Sequence, residues 1–290
     1  MAPLIAVPNV SEGRDAATIG SIEAAFGGRA RVLDVHTDPD HGRSVFTIAA
    51  PQGQLHAALL EGAREAVARI HLRGHEGSHP HVGALDVAPV VYLDEAQRGA
   101  ACAEALTAAA LIGGDELEVP VFLYGELATR PEHRLRAELR RGGPEGLAGR
   151  IEGGQLAPDF GPPRMHPSAG AVLVAARPPL VAFNVDLETD DLERAKHIAA
   201  GLRESGGGLP GVRAIGLYLP ARGRAQVSTN VEDHRAVPLA AIVERVREQA
   251  EVVEAELVGL APRAALDGFP DDVPLRGFDP ARHLVENALR

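Results

Sequence analysis

The sequence is short of the residues that form disulfides and aromatic cores. Its 290 residues include one cysteine, no tryptophan and only 3% aromatic residues. A single cysteine, Cys102, excludes an internal disulfide and is typical of a reducing compartment, so we expect a cytoplasmic protein. With 45% hydrophobic residues and few rings, the core must consist mainly of aliphatic side chains.

Positive charge and long apolar runs are also scarce. The chain has 29 Lys and Arg against 40 Asp and Glu, a formal net charge of −11. This acidic balance argues against nucleic acid as a partner. We expect no membrane association, because no stretch is long and apolar enough to span a bilayer. We also expect no signal peptide, because the N-terminal residues lack a charged region followed by an apolar run.

Hydrophobic periodicity predicts one order of elements twice: strand, helix, strand, strand, helix, strand. Short sequence similarities between the two halves support a duplication. LIAVPNV resembles LVAFNV, and a Gly-Arg pair begins the third strand of each half. We therefore predict an α/β (α+β) protein of two similar ferredoxin-like βαββαβ subdomains, with helices packed on sheets. The predicted subdomains are residues 1–177 and 178–290.

The segment RGHEGSHPHVGALD contains the pattern H-E-x-x-H, which binds zinc when a helix carries both histidines on one face. Two glycines interrupt the pattern, and Pro80 disfavours helical geometry at His79. The helical zinc interpretation therefore fails. Three interpretations stay open: a non-helical metal site of His75, His79 and His81, a solvated loop, or an acid–base histidine in a rigid Gly/Pro loop.

Other polar residues lie where strands meet loops. Asn9, Ser11 and Glu12 follow the first strand, where they would form either part of a site or a cap and turn. Asp86 could orient a histidine or bond a local backbone N–H. Arginines at turns and strand starts would either bind carboxylates or lie on the surface; they are Arg43, Arg164 and Arg224.

Two further stretches carry candidate site residues. Residues 161–170, GPPRMHPSAG, must form a shaped loop because of their prolines and glycines. A polar run interrupts a later apolar strand, and its alternate members must face opposite sides of the sheet. One face would line a cleft, or the run is an ordinary sheet surface; its members are Gln226, Ser228, Thr229 and Asn230.

Longer motifs occur in one order along the chain: VPNVSEGRD, LDVHTDPDHGRSVFT, GSHPHVGALDVAPVV, VPVFLYGE, PDFGP, AFNVDL, GGLPGVRAIG, QVSTN and ELVGLAP. On these motifs, which cover about residues 5–262, the chain resembles the glutamate formiminotransferase family of histidine breakdown. The resemblance implies two α/β subdomains with a substrate tunnel between them and a homodimer. It also implies small-molecule substrates and no cyclodeaminase domain in this chain, so that a separate cyclodeaminase would process the product.

The resemblance implies transfer of a formimino group from N-formimino-L-glutamate to N5 of tetrahydrofolate, without a metal. It places the acid–base catalyst at His79, with His36 or His75 as possible assistants. Alternatives are a formiminoglycine donor, activity on 5-formyltetrahydrofolate, folate binding without catalysis, or a metal-dependent hydrolase. The predicted folate loop is Gly161, Pro162, Pro163, Arg164, Met165, His166, Pro167, Ser168, Ala169 and Gly170. The predicted substrate-binding residues are Asn9, Ser11, Glu12, His36, Arg43, Arg224, Gln226, Thr229 and Asn230.

Overall fold

Each half of the chain is built around its own β-sheet. A computed structural model describes residues 3–290 and divides them into two units, the first ending at Pro178 and the second comprising Pro179–Arg290. No helix in this described part of the chain is both long and apolar enough to cross a membrane.

The first unit contains a seven-stranded sheet. Its strands are β1 (Leu4–Ala6), β2 (Asn9–Val10), β3 (Arg31–Asp38), β4 (Arg43–Ala50), β5 (Leu85–Val91), β6 (Val121–Leu123) and β7 (Val172–Arg177). Its helices are α1 (Ala16–Gly27), α2 (Leu55–Arg69), α3 (Arg98–Gly113), α4 (Arg136–Leu139) and α5 (Gly143–Glu152). Short 3-10 turns lie at Glu95–Gln97, Gly125–Leu127 and Pro131–His133.

The strand order of the first unit is ferredoxin-like with an extension. Strands β1 and β2 both pair with β4 and β5, so they form one strand that is interrupted before Asn9 by Pro8, which has no N–H to donate. Strand β3 pairs with the outer side of β4. Beyond β5 the sheet continues with β7 and β6, both in parallel pairing.

Sequence explains why α1 and α2 cover this sheet. Asp15 begins α1 by accepting a hydrogen bond from the Ala17 N–H at 3.0 Å. One apolar face of α2 is buried. Gly62 on α2 leaves room for Phe26 of α1, since a Cβ atom there would lie 2.0 Å from the ring. The two helices therefore pack closely over the aliphatic core.

The second unit has the same plan without the extension. Its elements are β8 (Val181–Leu187), α6 (Leu192–Leu202), β9 (Val212–Leu219), β10 (Arg224–Val231), α7 (Leu239–Arg247) and β11 (Val252–Val258), followed by α8 (Pro280–His283) and α9 (Val285–Ala288). Further 3-10 turns lie at Glu204–Gly206 and Arg263–Leu266. The antiparallel order is β11-β8-β10-β9. The predicted fold class, two βαββαβ sheets with helices packed on them, is confirmed.

Candidate active site

The segment between α2 and β5, residues 71–84, contains turns and no helix. It packs on the turn between β3 and β4, where the backbone N–H and the hydroxyl of Ser78 both donate to the Asp40 carbonyl at 3.0 Å. A Cβ atom on Gly77 would lie 2.4 Å from the His41 carbonyl oxygen. The glycines that exclude a zinc-binding helix thus permit direct contact between two backbone turns.

His79 is half-buried and has a defined orientation. Its Nδ1 lies 2.9 Å from the Pro80 carbonyl oxygen, which can only accept a hydrogen bond. Nδ1 therefore carries the proton in the neutral ring, and Nε2 is the nitrogen that accepts. The His41 ring lies 5.8 Å away between centroids. The neutral His79 ring, which lies beside His41, therefore has Nε2 as its basic nitrogen.

Arg43 connects His79 to a buried carboxylate. Its Nη2 donates both to the Pro80 carbonyl at 2.9 Å and to Asp86 Oδ2 at 2.6 Å. Its Nη1 donates to Asn9 Oδ1 at 2.9 Å. Because the same carbonyl accepts from His79, the position of the imidazole depends on the position of the arginine.

Asp86 is fully buried between two arginines. Arg140, at the end of α4, also donates from Nη2 to Asp86 Oδ2, and the Val82 N–H donates to Oδ1 at 2.9 Å. Burial acts to raise the pKa of the Asp86 carboxyl, but Arg140 and Arg43 outweigh it and hold that pKa below its ordinary value. Asp86 is therefore ionised, and it does bond a local backbone N–H.

Burial and the charges of Arg43 and Arg140 lower the pKa of His79 well below its ordinary 6.5. The imidazole is thus neutral at pH 7 and able to accept a proton. Once protonated, it would lie close to two guanidinium groups and would be a strong acid. The same side chain can therefore serve both steps of acid–base catalysis.

Two of the other histidines of the segment, His75 and His81, are in contact. The rings of His75 and His81 meet edge to face, with centroids 4.3 Å apart. Burial, followed by the neighbouring His81, lowers the pKa of His75 to about 4. Across residues 3–290, no group of three or more His, Cys, Asp or Glu side chains is arranged to hold a metal ion.

Residues 161–170 form a loop closed by its own backbone. His166 and Gly170 exchange N–H to carbonyl bonds of 3.0 and 3.1 Å. The Nδ1 atom of His166 accepts from the Ala169 N–H at 3.0 Å. Arg164 is exposed, 3.9 Å from the exposed carboxylate of Glu118. The loop is therefore shaped internally, as the prolines and glycines predict.

The end of this loop is joined to both ends of the histidine segment. The Leu72 N–H donates to the Ser168 carbonyl at 2.9 Å, and the Ala84 N–H donates to the Ala169 carbonyl at 2.8 Å. Gly83 and Gly170 form an antiparallel bridge. Two parts of the sequence separated by about 80 residues, each a predicted site, thus form one backbone unit.

Gly170→Ala is expected to destabilise the protein by about 1–3 kcal/mol. Gly170 has φ +72°, and a Cβ atom would lie 2.2 Å from the Val82 carbonyl oxygen. Urea unfolding measures the change in free energy. Gly149→Ala in α5 is the control, because its Cβ meets nothing within 4 Å, and it should raise stability by about 0.5–1 kcal/mol. Equal stability of Gly170→Ala and wild type would contradict the close approach.

The remaining predicted residues of the first unit differ in their contacts. The Ser11 hydroxyl donates to the Gly83 carbonyl at 2.7 Å and so supports the histidine segment. Glu12 Oε1 accepts from the N–H groups of Arg14 and Asp15 at 2.7 and 3.0 Å, which makes it a turn-forming residue. His36 is half-buried on β3, opposite Val45 of β4.

The predicted residues of the second unit all lie on β10 but not on one face. Arg224, Gln226 and Asn230 share a face by the alternation of the strand. Gln226 is buried and donates to Asp186 Oδ1 at 2.7 Å. Thr229 lies on the opposite face and donates to the Phe183 carbonyl at 2.6 Å. The structure therefore separates Thr229 from the other three.

Comparison with known proteins agrees with this architecture. The model of the "Formiminotransferase domain, N-terminal subdomain" matches residues 4–177, and that of the "Formiminotransferase domain" matches residues 182–268. This chain belongs to the formiminotransferase family. The resemblance found in the sequence is thereby confirmed. The histidine segment and loop 161–170 both lie within the part matched by the N-terminal subdomain.

Curated relatives cover the chain almost completely. A glutamate formimidoyltransferase of Streptococcus pyogenes is 36% identical over 98% of this chain and 97% of its own length. One of Thermoplasma acidophilum is 36% identical over 94% of this chain and 93% of its own length. The formimidoyltransferase-cyclodeaminase of Rattus norvegicus is 37% identical over 90% of this chain and 50% of its own length.

Sequence reasoning missed two residues near His79, namely Arg140 and His41. Arg140 belongs to a charged stretch with no motif, and its pairing with Asp86 crosses 54 residues. His41 belongs to a turn rich in Asp, Pro and Gly, where the sequence predicts that a histidine lies on the surface. Neither position carries a local signal, because the partner of each side chain is distant in sequence.

Proposed function

We propose that this protein is a glutamate formimidoyltransferase. It transfers the formimino group of N-formimino-L-glutamate to N5 of tetrahydrofolate and releases L-glutamate and 5-formiminotetrahydrofolate, in histidine degradation. The observation that carries the proposal is the near-complete mutual coverage with proteins named glutamate formimidoyltransferase. Tetrahydrofolate is the one-carbon acceptor substrate.

In the proposed reaction, N5 of tetrahydrofolate attacks the amidine carbon of the donor and forms a tetrahedral intermediate. Nε2 of His79 takes the proton that N5 loses. The C–N bond to glutamate then breaks, and the same imidazole returns the proton to the leaving amine. The low pKa of His79 supports this role, since its imidazolium readily gives up a proton to the amine. Positioning of both substrates supplies further acceleration.

The proposal assigns the folate to loop 161–170. Its backbone bonds to Leu72 and Ala84 support this, because they hold the loop beside the segment that carries His79. Asn9 and Arg43 would hold the histidine in place, and Arg224, Gln226 and Asn230 remain proposed contacts of the second unit. We further propose a cytoplasmic homodimer whose product is consumed by a separate cyclodeaminase. Light scattering of purified protein tests the dimer.

The test of the function is an end-point assay with purified protein, tetrahydrofolate and N-formimino-L-glutamate. Glutamate release and the formiminotetrahydrofolate formed are measured together, and equal amounts are expected. Turnover only with formiminoglycine as the donor, or only of 5-formyltetrahydrofolate, would contradict the proposed activity and indicate the related one. Tight binding of folate without turnover of any donor would indicate a binding protein.

The pH dependence of kcat/KM is expected to have its acid limb well below pH 6.5. Protonation of His79 removes the base, and because its pKa in the folded protein is lowered, this occurs only at lower pH. The rate constant should therefore be constant around neutrality and fall on acidification. Circular dichroism over the same range controls for unfolding. An acid limb at or above pH 6.5 would contradict the assignment of His79 as the base.

A further inference from the structure

An excess of arginines surrounds the buried Asp86 carboxylate. Arg43 and Arg140 both contact Asp86, and the side chains of these three residues are at most 9% exposed. Burial lowers the pKa of Arg140; Asp86 opposes this, and the neighbouring Arg136 lowers it further. Burial also lowers the pKa of Arg43, to about 10; Asp86 opposes this, and Arg140 and Arg136 lower it further. Two buried guanidinium groups thus share one carboxylate, and the guanidinium of Arg136 acts on both of them. This surplus of positive charge favours binding of another anion.

Two buried polar atoms, one on Arg140 and one on the neighbouring Tyr124, have no hydrogen-bond partner among the described residues. They are the Tyr124 hydroxyl and Arg140 Nε, and both are fully buried. Tyr124 follows β6, and Arg136 covers its ring with Cζ 5.8 Å from the centroid. Buried donors are rarely left unpaired, because the desolvation of each costs free energy that no bond returns. Unused donors next to surplus positive charge are the features of an anion site.

We propose that Arg140, Arg136 and Tyr124 bind a carboxylate of the formimino donor. The proposal rests on the proposed function. Only the Pro80 carbonyl, Arg43 and Asp86 lie between His79 and Arg140 in the chain of hydrogen bonds. Arg140 therefore belongs to the same hydrogen-bonded network as His79.

The chemistry of the two substrates favours the donor as the occupant. In N-formimino-L-glutamate, the α-carboxylate is attached to the carbon that bears the reacting nitrogen. In tetrahydrofolate, the glutamyl carboxylates lie beyond the p-aminobenzoyl group, far from N5. An anion site connected to the catalytic histidine through Pro80, Arg43 and Asp86 therefore fits the donor.

Substitution of Tyr124 distinguishes binding of the donor carboxylate from a purely structural role of the arginines. Arg140 also neutralises Asp86, so its replacement would disturb folding as well as binding. The Tyr124 hydroxyl has no hydrogen bond to lose within the described protein. Tyr124→Phe therefore removes a donor from the substrate without breaking an internal bond. Tyr92→Phe is the matched control, because the Tyr92 hydroxyl is 3.0 Å from Glu126 and outside the cluster.

The experiment measures steady-state kinetics and melting temperature for wild type, Tyr124→Phe, Arg136→Gln and Tyr92→Phe. Tyr124→Phe should raise KM for N-formimino-L-glutamate by about 10- to 100-fold, as expected for losing a hydrogen bond to a charged group. KM for tetrahydrofolate should be unchanged, and the melting temperature equal or higher. Arg136→Gln should also raise the donor KM. Tyr92→Phe should lower the melting temperature and leave both KM values unchanged.

An unchanged donor KM in Tyr124→Phe would overturn the proposal, and so would an increase confined to the KM of tetrahydrofolate. A lower melting temperature with only kcat reduced would indicate a structural residue and overturn it too. Turnover by the wild type in the same series tests the proposed function separately. Calorimetry of N-formimino-L-glutamate binding to wild type and Tyr124→Phe needs no turnover. It should show the same weakening, and equal affinities would overturn the proposal even in an inactive protein.

Discussion

His79→Ala is expected to lower kcat by about 10²–10⁴-fold, the usual contribution of general acid–base catalysis. Without the imidazole, no group takes the proton from N5, and the glutamate amine must leave without assistance. The donor KM should change much less, because the proposed carboxylate site involves other residues. Single-turnover kinetics with saturating substrates measures the chemical step directly. Added imidazole should restore part of the rate, since it would enter the space left by the side chain.

His71→Ala is the matched control for this variant. His71 lies in the same segment but is exposed, so its removal should leave kcat within about twofold, as for most surface substitutions. Circular dichroism and the melting temperature verify that both variants are folded. Wild-type activity in a folded His79→Ala protein would show that another group moves the proton.

Asp86→Ala is expected to destabilise the first unit by about 3–5 kcal/mol, the cost of breaking a buried ion pair by removing one partner. The substitution leaves the buried guanidinium groups of Arg43 and Arg140 without their carboxylate. It also removes the acceptor of the Val82 N–H. Urea unfolding followed by circular dichroism measures the loss. Activity should fall as well, because Arg43 then no longer fixes the Pro80 carbonyl that orients His79.

Glu193→Ala is the control for the ion pair. Its partner Lys196 is 2.8 Å away, but the two side chains are 81% and 52% exposed, so the loss should be at most about 0.5 kcal/mol.

The contribution of Asp86 to the free energy of unfolding should also depend on pH, with a definite sign. The pKa of Asp86 is lowered in the folded protein, so the stabilisation is present above the unfolded-state pKa near 3.8 and is lost as pH falls through the folded-state value. An Asp86→Ala protein as stable as wild type would contradict the role of the cluster.

The sequence predicted the fold class well because the signals involved are local. The period of apolar residues in α2 and the Gly-Arg turns at the starts of β4 and β10 depend on neighbours within a few residues. The extension of the first sheet could not be predicted in this way. Strand β7 pairs in parallel with β5, and β6 pairs in parallel with β7; parallel pairing links residues that are distant in sequence.

The candidate site was only partly predictable. Glycine and proline near His79 excluded a helix, and the structure agrees. Glycine loses the most conformational entropy in a helix, and proline disfavours helical geometry at the residue before it. The partners of Arg43 could not be inferred. From the sequence, Arg43 would bind a substrate carboxylate or lie on the surface, whereas in the structure its guanidinium is buried against Asp86 and the Pro80 carbonyl. The separation of Thr229 from Gln226 follows from strand alternation, but which face each occupies required the sheet itself.

The sequence by itself determined the family, the two βαββαβ sheets and the histidine held in a non-helical segment, because each depends on residue order, short-range periodicity or backbone restriction. The tertiary structure alone decided that Arg43 and Arg140 meet on Asp86 and that loop 161–170 bonds to the histidine segment. It also decided that the buried Tyr124 hydroxyl has no hydrogen-bond partner within residues 3–290. These contacts join residues tens of positions apart, and their energies depend on burial, which exists only once the sheet and helices have packed.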